Sequence, residues 1–135
     1  MFGKKAQPPI KSLIASGTRI DGNMKFDEGL RVDGEVFGDI VANGGEGSSM
    51  LVISEAAIVQ GAIQADHVII NGTVRGPVNA RELLELQPRA RIEGDVAYVA
   101  LEMHQGATIS GQLRPLVAAA GEEEKPLLKL ASKSG

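Results

Sequence analysis

The sequence predicts an all-β protein, a single-domain parallel β-helix of about six coils with a disordered tail at each end. Two observations lead to this fold. A kernel of the form apolar-x-Gly-x-apolar recurs six times along the 135 residues. Around each kernel, apolar and polar residues alternate with a period of two, as they do in strands. Short strands that recur at a fixed repeat lie beside their counterparts in the next repeat, which is the arrangement of a solenoid.

The six kernels can be aligned by their central glycines. Successive central glycines are separated by 16, 23, 15, 18 and 17 residues. The spacing of 23 contains residues 43–49, a stretch rich in Gly and Ser that is expected to form a loop inserted in one coil. The central glycines are Gly22, Gly38, Gly61, Gly76, Gly94 and Gly111.

Two columns of this alignment are apolar in every repeat, which predicts two continuous ladders of inward-facing side chains. The column two residues before the glycine contains Ile20, Val36, Val59, Val74, Ile92 and Ile109. The column two residues after it contains Met24, Ile40, Ile63, Val78, Val96 and Leu113. A third column, four residues after the glycine, begins with Phe26 and continues with three alanines, and its facing stays open. Arg75 and Glu93 are expected to be neighbours on adjacent coils.

The repeats divide the chain into three segments. Residues 14–116 are predicted to form the β-helix, with the first coil beginning near Ile14. Residues 1–13 carry three lysines and no acid, which indicates a flexible basic arm. Residues 117–135 are expected to be a disordered tail, because they lack the repeat and are rich in small and charged residues.

Composition excludes several classes of function. The chain contains no Cys, which rules out disulfides, thiolate metal sites and a Cys nucleophile. Its net charge is −3 and its repeat region is acidic, so we expect no nucleic-acid partner. No stretch approaches the length of a transmembrane helix, and the N-terminus lacks the apolar segment of a secretory signal. A cytoplasmic protein is expected.

The repeated kernels, as in residues 32–40 (VDGEVFGDI), together with the Pro-containing arm that opens MFGKK, resemble the bactofilin family of bacterial cytoskeletal proteins. The resemblance covers residues 14–113. It implies a right-handed β-helix that polymerises without nucleotide. It also implies association of the N-terminal arm with the inner face of the cytoplasmic membrane. Roles in cell shape and in positioning cell-wall enzymes, such as hydrolases or synthases, follow from the same resemblance.

The sequence predicts that the protein's main partner is another copy of itself. A β-helix ends in open sheet edges, and no amphipathic capping helix is evident at either end. At the N-terminal end, the polymerisation interface is predicted to contain Leu13, Ile14, Ile20, Met24 and Phe26. At the C-terminal end it is predicted to contain Leu101, Met103, Ile109 and Leu113. The predicted membrane anchor, which would bind an anionic surface, consists of Met1, Phe2, Lys4 and Lys5.

The alternative fold is a left-handed β-helix of hexapeptide repeats, as in acyltransferases or the related carbonic anhydrases. Its coils run at multiples of six residues, and its enzymes need a catalytic His or a His cluster. Here His67 and His104 fall in different columns of the alignment, so no catalytic residue, metal site or cofactor is predicted. The outward carboxylates are expected to form a solvated face; they are Asp33, Asp39, Glu93 and Asp95.

Overall fold

The computed structural model describes residues 9–44 and 48–116, and the backbone of one further strand at 127–130. These residues form sixteen strands and no helix, and every strand pairing is parallel. The strands are β1 (Ile10–Ile14), β2 (Arg19–Asp21), β3 (Met24–Phe26), β4 (Gly29–Val32), β5 (Glu35–Phe37), β6 (Ile40–Ala42), β7 (Met50–Ile53), β8 (Ile58–Gln60), β9 (Ile63–Ile70), β10 (Thr73–Arg75), β11 (Val78–Leu86), β12 (Arg91–Glu93), β13 (Val96–Met103), β14 (Thr108–Ser110), β15 (Leu113–Pro115) and β16 (Leu127–Leu130).

Each coil contributes one strand to each of three faces. Face 1 consists of β1, β4, β7, the second parts of β9, β11 and β13, and finally β16. Face 2 consists of β2, β5, β8, β10, β12 and β14. Face 3 consists of β3, β6, the first parts of β9, β11 and β13, and β15. The predicted all-β parallel solenoid of six coils is confirmed, and at about 4.8 Å per coil it is about 30 Å long.

The core is a stack of apolar ladders that run along the rod. The two columns predicted to face inward do so, since Val36, Val59, Ile40 and Ile63 are at most 1% exposed. The alanine column of face 3, whose facing the sequence left open, also points inward. Face 1 adds two further inner columns. These contain Leu30, Leu51, Val68, Leu84 and Leu101, and Val32, Ile53, Ile70, Leu86 and Met103.

The central glycines stack directly on one another where the chain turns from face 2 to face 3. A Cβ atom on Gly94 would lie 2.6 Å from the carbonyl oxygen of Gly76 on the coil before, well inside van der Waals contact. The φ angle of Gly94 is +148°, a conformation that residues with a Cβ rarely adopt. Both constraints explain why the kernel requires glycine at its centre.

The scatter in repeat length comes from the other two turns of each coil. Between faces 1 and 2, the turns of the first four coils alternate between four residues, as at 54–57, and two residues, as at 71–72. The last two coils both use four-residue turns. Between faces 3 and 1, the turn is one residue long at Asp66 and two residues long at 81–82, whereas seven residues, 43–49, separate β6 from β7. Turn length can vary because the strands themselves keep their register.

Both ends of the solenoid extend further than the sequence indicated. The first strand begins at Ile10, within the segment that the sequence assigned to the arm. It pairs with β4, and Gly29 permits this because a Cβ there would overlap the backbone of Pro9 and Ile10. At the other end, β16 lies within the segment expected to be disordered and pairs with residues 100–103. The rest of that segment, and residues 1–8, lie outside the described residues.

Candidate functional site

The N-terminal end of the rod is formed by β1, β2 and β3. Of the five residues predicted to form an interface here, Ile14 and Phe26 are each only 6% exposed. Ile20 and Met24 are half-buried, and Leu13 is 57% exposed. Ile14 and Phe26 therefore belong to the core of the first coil, and the surface available to a partner consists of the other three.

The C-terminal end differs because one of its three edges is covered. Leu113 is 43% exposed, and Met103 and Ile109 are half-buried. Leu101, which was predicted to lie in the interface, is only 1% exposed. It is covered because β16 adds another rung to face 1, in register with residues 100–103.

The large exposed apolar side chains of the described residues cluster at the two ends. Three of them were not predicted, because the kernel alignment has no column for Ile10, Val99 and Leu116. Ile10 precedes the first kernel, and the other two lie at turns between face 3 and face 1. Alternation alone could not identify turn residues as apolar surface. The full set is Ile10, Leu13, Val99, Leu113 and Leu116.

Open sheet edges accompany these apolar side chains. Among the described residues, β2 pairs only with β5, and β3 only with β6. At the other end, β14 pairs only with β12, and β15 only with β13. Each terminal strand therefore presents backbone N–H and C=O groups that a further parallel or antiparallel strand could pair with.

A polar network crosses the turns between faces 3 and 1 beside the long insertion. Asp66 Oδ2 accepts hydrogen bonds from the backbone N–H of Ser49 at 2.9 Å and from its hydroxyl at 3.2 Å. Arg81 Nε lies 2.8 Å from Asp66 Oδ1. Burial raises the pKa of the Asp66 carboxyl, but hydrogen bonds from Arg81 and Ser49 outweigh it and leave the pKa lowered. These contacts fasten the insertion to the next two coils.

Ser49 and His67 lie close together in this network without forming a nucleophile and base. The backbone N–H of His67 donates to the carbonyl of Ser49 at 3.0 Å. The Ser49 hydroxyl, however, is hydrogen-bonded to Asp66, and the buried Nε2 of His67 has no hydrogen-bond partner among the described residues. A hydroxyl and an imidazole that are not hydrogen-bonded to each other do not make the pair that nucleophilic catalysis uses.

His104 belongs to a different cluster, on the outer side of face 1. Glu85 and Glu102 are register partners on adjacent strands, and His104 Nε2 lies 3.6 Å from Glu85 Oε2. One ligand atom from each of the three residues lies within 4.8 Å of the others, so among the described residues this cluster could hold a divalent cation. The sequence did not indicate it because the three side chains come from two coils. As predicted, His67 and His104 occupy different columns.

The predicted membrane anchor, Met1, Phe2, Lys4 and Lys5, lies outside the described residues. Within the part of the chain that the structure describes, no helix is long and apolar enough to cross a bilayer.

The described residues define an all-β solenoid repeat protein with apolar surface concentrated at its ends. Residues 12–114 match the family model described as Bactofilin, polymer-forming cytoskeletal. Because that match covers more than half of the chain, the protein belongs to the bactofilin family, whose members are structural cytoskeletal proteins. The resemblance drawn from the repeated kernels is confirmed.

Two relatives from Myxococcus xanthus strain DK1622 are similar to this chain. Bactofilin BacO is 27% identical over 112 residues, which cover 83% of this chain and 85% of BacO. Bactofilin BacP is 26% identical over 102 residues, or 76% of this chain. The chain spans 40% of the length of BacP. No solved structure matches the chain.

Proposed function

We propose that this protein is a cytoskeletal scaffold that stacks end to end into filaments without nucleotide. The observation that carries the proposal is the concentration of exposed large apolar side chains, Leu13 and Leu113 among them, on the first and last coils. In the middle coils of the described residues, the large apolar side chains are buried or half-buried. An apolar surface that coincides with open strand edges is suited to a second copy of the same rod.

Two physical terms favour such stacking. Removing apolar surface from water contributes about 25 cal/mol per Å². Pairing the unpaired edge groups of β14 and β15 with another subunit adds backbone hydrogen bonds, each contributing about 0.5–1.5 kcal/mol net. Neither term involves nucleotide hydrolysis, which supports assembly that depends on protein concentration alone.

The test replaces one apolar residue at each end with arginine, because a buried unpaired charge is costly. Leu113→Arg and Met24→Arg should give folded protein that fails to sediment as filaments and stays in short oligomers. Gln64→Arg is the matched control, since Gln64 lies on face 3 in the middle of the rod and is exposed. Circular dichroism checks the fold, and negative-stain microscopy measures filament length. Long filaments from both end variants would contradict end-to-end stacking.

The proposal includes a membrane contact through the basic arm, at the inner face of the cytoplasmic membrane. Phe2 can enter the lipid interface while Lys4 and Lys5 face anionic headgroups, each lysine contributing about 1 kcal/mol. One arm binds weakly, and a filament multiplies the contact by avidity. Wild-type filaments should co-sediment with anionic vesicles at low salt, and Phe2→Glu should release filaments that remain intact. Equal binding by both proteins would reject the anchor.

In this proposal the filament organises cell shape or cell-wall hydrolases or synthases and performs no chemistry itself. The separation of His67 from His104 and the engagement of Ser49 by Asp66 support this. Mixtures with acyl-CoA donors, ATP, or bicarbonate and zinc should show no turnover. Turnover that His104→Ala abolishes would instead assign a reaction to the Glu85, Glu102 and His104 cluster.

A further inference from the structure

The C-terminal end of the rod is asymmetric, and the asymmetry comes from the chain itself. Face 2 ends at β14 and face 3 ends at β15, whereas face 1 continues for one more rung with β16. The backbone of β16 pairs in parallel with residues 100–103 and keeps the register of the rungs below it. Leu128 takes the position that follows Leu101 in an inner column, and Leu130 takes the position that follows Met103.

The sequence of β16 matches the site that it occupies. Residues 127–130 read Leu-Leu-Lys-Leu, so the two register positions of the inner columns are apolar and the position between them is charged. The rungs 51–53 and 84–86 are also apolar at both inner positions, although their middle residue differs. A segment with this pattern can therefore be added as a strand to the open edge of face 1.

The connection to β16 is much longer than the turn requires. One residue is enough to pass from face 3 to face 1 at Val99, whereas eleven residues, 116–126, separate β15 from β16. A long connection raises the entropic cost of docking and lets the strand leave without disturbing the coils. The geometry allows a strand that docks on the end and also detaches from it.

We infer that the face 1 edge at the C-terminal end is a strand-acceptor site, that residues 127–130 of the same chain occupy it, and that they compete there with a stacking subunit. The inference rests on the proposed end-to-end assembly. While β16 is docked, a neighbour cannot pair with residues 100–103 and the apolar end is only partly available. The apparent affinity for a stacking subunit at this end is therefore the intrinsic affinity multiplied by the fraction of rods whose edge is uncovered.

The first test weakens the docked strand in the full-length chain. Leu128→Ser combined with Leu130→Ser removes the apolar residues from the two inner register positions. If β16 is docked nine-tenths of the time, this variant should assemble at about a tenfold lower protein concentration than wild type. Lys129→Ser, in the same strand, is the matched control and should behave as wild type. An unchanged assembly threshold for the double variant would overturn the competition.

The second test locks the strand in place. The chain has no Cys, so Glu102→Cys with Lys129→Cys introduces one pair at register partners. Neighbouring strands lie about 4.8 Å apart, which is within the range of Cα separations that disulfides span. Oxidation of the dilute protein should give an intramolecular disulfide, and the locked protein should lose sedimentation as filaments, which reduction should restore. Glu102→Cys alone should form no intramolecular bond and should assemble normally when reduced.

The possible outcomes separate this inference from the proposed function. Filaments from every variant, with no intramolecular disulfide, would overturn the strand-acceptor site alone. An oxidised protein that carries the disulfide yet assembles like the reduced one would overturn the competition. Absence of filaments from wild type, the serine variants and the reduced cysteine variant alike would overturn the proposed function, and the competition with it.

Discussion

Asn23 and Asp39 occupy the same turn on adjacent coils, and the side-chain oxygen Oδ1 of Asn23 accepts a hydrogen bond from the backbone N–H of Asp39 at 2.9 Å. The arrangement continues along the rod. Asp39 Oδ1 accepts from the N–H of Ala62, and Asp95 Oδ1 accepts from the N–H of Gln112, each at 2.9 Å. These outward carboxylates therefore join one coil to the next at the turn beside the central glycines, in addition to facing solvent.

Removing one such acceptor should destabilise the fold. Asp39→Ala leaves the N–H of Ala62 without its partner, and we expect a loss of about 1 kcal/mol in the free energy of unfolding. Asp39→Asn keeps an amide oxygen at the same place and should remain close to wild type. Urea denaturation of both variants measures the difference. Equal stability of the alanine and asparagine variants would show that the hydrogen bond to Ala62 contributes nothing to the fold at this turn.

The stacked glycines should be far less tolerant of substitution. In Gly94→Ala the new Cβ would lie 2.6 Å from the carbonyl oxygen of Gly76, and the φ angle of +148° would be strained. We expect a loss of at least about 3 kcal/mol, because backbone atoms on both sides would have to move. Gly44→Ala is the matched control, since among the described residues no atom outside its chain neighbours lies within 4 Å of its Cβ position. Thermal unfolding distinguishes the two, and similar melting temperatures would contradict the stacking argument.

The Asp66 network should make stability depend on pH. Burial raises the pKa of Asp66, but its hydrogen bonds with Arg81 and Ser49 lower it overall. A lowered folded-state pKa means that the stabilisation is present above the unfolded value of about 3.9 and is lost as the pH falls through the folded value. Asp66→Asn should therefore cost about 1–3 kcal/mol at pH 7. The gap from wild type should narrow below about pH 4.

Melting temperatures of wild type and Asp66→Asn between pH 7 and pH 2.5 would measure this gap. Glu55→Gln is a suitable control, since Glu55 forms an exposed ion pair with Arg89, and such pairs contribute little. A gap that stays constant over the whole pH range would show that the Asp66 carboxylate is not the source of the stabilisation.

The interior ladders could be predicted from the sequence because a buried column must be apolar in every coil. The register between Arg75 and Glu93 followed from the same alignment, and their side chains lie 3.6 Å apart between Nε and Oε1. The exposed apolar residues at turns, such as Val99, could not be predicted, since a turn residue has no column to be compared with. The role of Asp39 was missed because an outward carboxylate looks the same in sequence whether it is solvated or bonded to the next coil.

The strand β16 could not be predicted for another reason. Four residues, three of them leucines, do not show a periodicity of their own, and they form a strand here only by pairing with an edge that the last coil provides. The first strand posed the same difficulty, because Ile10 precedes any kernel and its pairing depends on the absence of a side chain at Gly29. Both are cases in which a distant part of the chain decides the local structure.

The alanine column of face 3 gives a direct test of how tightly the interior is packed. Ala42, Ala65 and Ala80 are at most 4% exposed, and the column is bounded by the larger Phe26 and Tyr98. The three alanines belong to the same buried cluster as the leucines and isoleucines of the other faces. Because protein interiors are close-packed, we expect no room for a larger residue here. Ala65→Leu should therefore destabilise the fold by about 1–3 kcal/mol through overpacking, even though it adds apolar surface.

Gln64→Leu, at the exposed neighbouring position, is the control and should change the free energy of unfolding by less than about 0.5 kcal/mol. Chemical denaturation measures the free energy of unfolding of both variants. A stabilised Ala65→Leu variant would reveal an unfilled cavity in place of a packed core.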